Sequence, residues 1–164
     1  MCLVPGVADA RSLCRAWPAA AESLARAFWP GPLTLVLGAS DEAPTAVAEA
    51  GRIALRPAAD PVSSSLLAAW GRALFSTSAN RRGEVSSRDV SRALAALGSA
   101  PGGDAIEVAL LPLVPAGPGG SQEPVGLPST LVDPDARPPK IVRAGAIPAD
   151  RIREVVGEID EGGD

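Results

Sequence analysis

Trp29-Pro30-Gly31-Pro32-Leu33-Thr34-Leu35-Val36-Leu37 is the stretch from which the rest of the chain can be ordered. Proline has no N–H to give and restricts the residue before it. Two prolines around Gly31 therefore stop any helix and demand a rigid turn. The run Leu33 to Leu37 is too short for a helix and almost wholly apolar, which reads as a strand buried on both faces. Upstream, Ala19 to Phe28 reads as a helix that must end at this turn. Ala8 to Trp17 reads as another, with Pro18 tolerable in a first turn.

Downstream, short strands alternate with helical stretches. Ala43 to Ala50 reads as a weak helix and Arg52 to Arg56 as a strand. Pro61 to Trp70 reads as a helix opened by Asp60 as N-cap and closed by Gly71. Ala73 to Ser76 is expected to be a strand running into the polar loop Thr77 to Ser86, followed by a helix from Ser87 to Gly98. In the Gly- and Pro-rich stretch that follows, Ile106 to Leu111 reads as a strand and Gly117 to Gln122 as the most flexible part. Leu131 to Asp133 and Lys140 to Arg143 read as short strands, Pro148 to Ile159 as an amphipathic helix, and Asp160 to Asp164 as a frayed tail. The class is α/β, or α+β: a mixed sheet flanked by helices, with residues 1–159 as one domain.

Composition narrows the chemistry. The 164 residues carry 15 basic and 19 acidic side chains, a formal charge of −4, which disfavours a protein that coats nucleic acid or anionic lipid. Histidine is absent, which removes Ser-His-Asp and Cys-His schemes and His-ligated metals. Lys140 is the only lysine among the basic residues. Cys2 and Cys14 are too few for a disulfide scaffold, so a reducing cytoplasm is the expected compartment. The N-terminus does not read as a signal peptide, and no apolar run approaches the roughly 20 residues of a membrane span. What remains is arginine, hydroxyls, Asn, carboxylates and backbone amides, a palette suited to phosphate and carboxylate.

Five polar clusters sit at strand ends, where open sheets bind ligands. They are Trp29 to Thr34, Arg56-Pro57, Ser76-Thr77-Ser78-Ala79-Asn80, Pro128 to Asp133, and Arg143-Ala144-Gly145-Ala146-Ile147. Taken singly, each is more simply a turn or a solvated edge. Arg56 in a cleft would offer a rigid donor fork to a carboxylate or phosphate, and the Ser-Thr-Asn loop could ring a phosphate. None matches a P-loop or a dinucleotide fingerprint.

Their order is more specific than any one of them. WPGPLTLVL, ALRP, STSAN, PSTLVD and R-x-G-A-I, spread over Phe28 to Ile147, resemble the YrdC-like family of threonylcarbamoyl-AMP synthases. The resemblance implies a twisted mixed sheet around a concave cationic cleft. It implies an enzyme that joins L-threonine, bicarbonate and ATP with Mg2+, releasing pyrophosphate, for tRNA threonylcarbamoyladenosine modification. By the same resemblance Arg56, Ser78 and Ser129 belong to the threonine pocket, and Arg52, Asn80, Arg88 and Arg143 to ATP. It assigns no covalent catalytic residue and no protein metal ligand. Contact with tRNA or another double-stranded RNA belongs to the same expectation.

The family's P-T-x-T-x-Y-G-L segment, Lys-x-Arg pair and H-P-L do not occur here, and Arg81-Arg82-Gly83 replaces a more usual x-Ser-Gly. The Lys-x-Arg pair is the family's phosphate clamp. The 164 residues alone are accordingly expected to turn over little, with the segment preceding Met1 in a complete protein. The competing reading is a non-catalytic relative that binds nucleotide or RNA in the remaining half-cleft. A homodimer would be one way to cover sheet edges left open.

Overall fold

The computed structural model describes residues 1–45, 48–77 and 127–162. The chain divides into two compact units, Met1–Ser76 with Pro124–Asp164, and Thr77–Glu123. The second lies outside the described residues except for Thr77, and with it the expected helix from Ser87, the expected strand from Ile106 and the Gly117 to Gln122 stretch.

In the first unit the strands are β1 (Cys2–Val4), β2 (Leu33–Gly38), β3 (Arg52–Pro57), β4 (Leu74–Phe75), β5 (Thr130–Asp133) and β6 (Lys140–Arg143). The helices are α1 (Val7–Ser12), α2 (Ala19–Phe28), α3 (Pro61–Trp70) and α4 (Ala149–Val156). The sheet runs β4-β1-β3-β2-β5-β6, with β1 parallel to β3, β2 parallel to β5, and the other neighbours antiparallel. It is a mixed sheet with flanking helices, as the alternation of elements implies.

Side chains alternate across a strand, so β3 divides its residues cleanly. Ile53, Leu55 and Pro57 are buried, whereas Arg52, Ala54 and Arg56 are half-buried. Leu33, Leu35 and Leu37 share the core of Ile53 and Leu55, with Leu24 of α2, Ile152 of α4 and Ala10 of α1. The opposite face carries Thr34, Arg52 and Arg56. Burial on both faces of β2 holds for Leu33, Thr34 and Leu35, and Val36 is half-buried.

The WPGP turn is as tight as its composition requires. A Cβ on Gly31 would fall 2.5 Å from the Phe28 carbonyl oxygen, so only glycine lets the chain fold back on the end of α2. Helix α3 has both its expected caps. Asp60 accepts from the Ser63 N–H at 2.8 Å, and Gly71 closes the helix in the left-handed region at φ 69°.

Four expectations are corrected. The first helix stops at Ser12, because the following backbone turns to the sheet: Arg15 N–H donates to Gly38 O at 2.8 Å and Cys14 bridges Ala39. No helix spans 43–50 among the described residues. Glu49 and Arg52 exchange backbone hydrogen bonds around Ala50-Gly51, both at positive φ, which makes a tight hairpin turn instead. The last helix is shorter than expected, running from Ala149 to Val156 with Pro148 as its N-cap and Gly157 after it. The tail is not frayed through Gly162. Asp160 accepts from Ile141 N–H at 2.7 Å, donates to Pro139 O at 2.8 Å and pairs with Lys140 at 3.1 Å. Strand β1, in a stretch to which the sequence alone assigns no element, occupies an interior place in the sheet.

Candidate functional site

Three of the five sequence clusters lock together at one end of the sheet. The Thr130 N–H donates to Pro32 O at 2.9 Å, which ties the start of β5 to the proline turn before β2. The Ala146 N–H donates to Pro128 O at 2.9 Å. The Thr130 hydroxyl donates to Ile147 O at 2.8 Å and accepts from Ile147 N–H at 2.9 Å. Each loop therefore satisfies backbone groups of the next, and Ser129 is held at their junction, 8% exposed.

Arg143, at the end of β6, reaches back to this junction. Its guanidinium donates to the Ser129 carbonyl at 2.7 Å and to the Ser129 hydroxyl at 3.3 Å. On the far side of Ser129, the hydroxyl of Thr34 lies 2.8 Å from the Ser129 hydroxyl. Arg56 stands on the same sheet face. Register places Leu35 opposite Leu55, so Thr34 and Arg56 are cross-strand neighbours. The Arg56 Nε is buried and has no hydrogen-bond partner among the described residues.

The electrostatics follow from this crowding. Desolvation, and then the positive charge of Arg56, lower the pKa of Arg143 below the usual arginine value. It remains a cation at neutral pH. Among the described residues no carboxylate pairs with Arg56 or Arg143. Two cations whose charges interact, one with a spare buried N–H and the other bonded to a serine hydroxyl, offer hydrogen-bond donors to an anion.

Arg52 is placed differently. It sits four residues back along β3, at the opposite end of the sheet, where it pairs with Asp133 at 2.5 Å and Asp135 at 3.7 Å and donates to Val36 O at 2.8 Å. The structure thus brings together Arg56, Ser129 and Arg143 and leaves Arg52 outside their cluster. Ser78, Asn80 and Arg88 lie outside the described residues. Thr34 joins the cluster although the sequence singled it out only as part of a turn. The available signal was a hydroxyl in an otherwise apolar, buried strand, which needs a partner.

Among the described residues no three His, Cys, Asp or Glu side chains gather as a metal site, and no helix is long and apolar enough to cross a membrane. A small hollow is lined by Val4, Pro5, Ala58, Ser64, Leu67 and Ala68, none of them titratable. Burial, then Asp135, raises the Cys14 thiol to about 11, and burial raises Cys2, so neither offers a ready thiolate.

The chain is similar to known proteins over most of its length. It is 30% identical to the threonylcarbamoyl-AMP synthase of Pyrococcus abyssi over 148 residues, covering 90% of this chain and 40% of that relative. It is 43% identical to the threonylcarbamoyl-AMP synthase of Halorhodospira halophila over 88 residues, covering 51% of this chain and 46% of that one. The crystal structure of Pyrococcus abyssi Sua5 complexed with L-threonine superposes with a TM-score of 0.76 at 27% identity, covering 97% of this chain and 43% of that one. The chain thus spans less than half the length of each of these proteins. The family model for Sua5, YciO and YrdC, described as "Telomere recombination", matches residues 1–145. On a match of that extent, together with a shared fold, the chain belongs to the Sua5/YciO/YrdC family.

Proposed function

We propose that this chain carries part of an L-threonylcarbamoyladenylate synthase site, binding L-threonine and ATP for the tRNA threonylcarbamoyladenosine modification. The observation that carries the reading is that Arg56 and Arg143, close enough for their charges to interact and without a carboxylate partner among the described residues, stand with Arg143 bonded to the buried Ser129. Support comes from relatives named threonylcarbamoyl-AMP synthase and from a similar structure complexed with L-threonine.

The roles are those the family resemblance implies, Ser78, Asn80 and Arg88 lying outside the described residues. Arg56 takes the threonine carboxylate with its fork of donors, and Ser129 and Ser78 supply neutral hydroxyl partners. Arg143, with Asn80 and Arg88, serves the nucleotide. Arg52 would reach phosphate only by leaving Asp133 and Asp135, so its part in ATP binding depends on that exchange. In the reaction the threonine amine and bicarbonate form a carbamate with loss of water. A carbamate oxygen then bonds to the α-phosphorus of ATP, and the bond to the β-phosphate oxygen breaks to release pyrophosphate. This needs orientation and charge stabilisation rather than a protein nucleophile. Mg2+ fits as a companion of the ATP phosphates: Asp133 and Asp135 lie at the far end of the sheet from Arg56, Ser129 and Arg143 and are engaged there by Arg52. A cytoplasmic site of action agrees with two free cysteines.

Calorimetric titration of the full chain with L-threonine, alone and with ATP, Mg2+ and bicarbonate, tests this reading. Saturable binding that Arg56→Ala removes is expected. Absence of threonine binding under both conditions would overturn it.

A further inference from the structure

We propose that Thr34 is a positioning residue that sets the hydrogen-bond polarity of Ser129, and so lets Ser129 donate to a ligand carboxylate. The inference rests on the threonine-binding reading of the site. Thr34 is the one polar side chain of β2 and is 1% exposed, in a place where the neighbouring leucines make a purely apolar residue the simpler choice. Its hydroxyl spends itself on Ser129, at 2.8 Å, a residue 95 positions away in the chain. Its other neighbour is the Met1 thioether sulfur at 3.5 Å, a weak acceptor.

Arginine only donates, so Arg143 fills one lone pair of the Ser129 hydroxyl oxygen. Two arrangements of the remaining protons are then open. With the site empty, Ser129 donates to Thr34 and Thr34 donates to Met1 Sδ, which satisfies every group within the protein. When an anionic oxygen arrives beside Arg56, the Thr34 proton turns from the sulfur to Ser129. Both Ser129 lone pairs are then filled, and the Ser129 proton points out to the anion. The exchange replaces a weak O–H to sulfur contact with a charge-assisted bond. Thr34 thus makes Ser129 a donor only when a carboxylate is present, without touching the ligand itself.

The test uses the full chain and three measurements on each variant: calorimetric affinity for L-threonine, affinity for ATP with Mg2+, and melting temperature. Thr34→Val keeps the shape and removes the hydroxyl; Thr34→Ser keeps the hydroxyl. Thr34→Val should weaken L-threonine binding about ten- to a hundredfold, the scale of one charge-assisted hydrogen bond, and leave ATP within about twofold. Thr34→Ser should restore threonine affinity to within about threefold of wild type. With L-threoninamide, which lacks the carboxylate, wild type and Thr34→Val should bind alike. If valine prevents folding, Thr34→Ala carries the same expectations. Threonine affinity unchanged by Thr34→Val, an equal loss for ATP, or failure of serine to rescue would overturn the proposal while leaving the site reading standing. A wild-type chain that binds no L-threonine would remove both.

Discussion

Gly145 and Ser129 approach more closely than any side chain on Gly145 would permit. A Cβ there would lie 2.6 Å from the Ser129 carbonyl carbon, 2.6 Å from the Thr130 nitrogen and 2.3 Å from the Pro128 carbonyl oxygen. All three obstacles are backbone, so nothing flexible can give way. The glycine of the R-x-G-A-I motif is therefore a spacing element of the site rather than a flexible joint.

Gly145→Ala is expected to push the Pro128–Thr130 segment off the β6 loop. Overpacking of this kind costs about 1–3 kcal/mol. Denaturant melts should show that loss, and L-threonine affinity should fall with it because Ser129 moves. Stability and threonine binding both equal to wild type would contradict the close approach.

Arg56→Lys separates a carboxylate clamp from a surface charge. Lysine keeps the charge and loses the planar fork, so L-threonine affinity should drop about ten- to a hundredfold, as for a charged hydrogen bond of about 1.5–3 kcal/mol. ATP affinity should change little. Equal losses for both ligands would mean the cleft had collapsed as a whole.

Asp60→Ala should destabilise the chain by about 1 kcal/mol through the lost cap of α3. Burial raises the Asp60 pKa, but the hydrogen bonds it accepts from Ser63 outweigh that and hold it below the ordinary aspartate value. A folded pKa below the unfolded one means the contribution is present at neutral pH and is lost as pH falls through the folded value. The gap between variant and wild type in thermal melts should therefore narrow below about pH 4.

For Cys14 the sign reverses. Its thiol is raised from 9.0 to about 11 in the folded chain, by burial first and Asp135 second. Folding thus favours the protonated form. This contribution is complete below the unfolded value and declines as pH climbs from about 9 towards 11. Thiol-reactive dye at pH 8 should label Cys14 only as fast as the chain opens, and Cys14→Ser should flatten the alkaline loss of stability. Immediate labelling of the folded protein would show the thiol to be accessible.

Much of this architecture could be read from local chemistry. The end of α2, the proline turn, strand β3 and both caps of α3 follow from residues such as Pro30, Pro32, Asp60 and Gly71, whose conformational preferences act within a few positions. Non-local contacts were less legible. Cys14 to Trp17 look helical in isolation, yet their backbone is drawn to β2 by Gly38 and Ala39. The tail looks frayed because its partners, Pro139 and Ile141, belong to another strand. In the site, motif order pointed to Arg56, Ser129 and Arg143, which the fold does gather. It could not show that Arg52 is held by Asp133 and Asp135, because strand direction decides which end of β3 meets which end of β5.

The 95-residue separation of Thr34 and Ser129 also fixes an order of events during biosynthesis. A nascent chain holds Arg56 and Thr34 long before Ser129 and Arg143 have been made. Pairing β5 with β2 then requires closing a long loop, an entropic cost that grows only slowly with length but makes closure late and slow. Any small molecule that binds only after this closure stabilises it by mass action. The supply of such a ligand in the cell would therefore help to set how much of the newly made chain survives as folded protein.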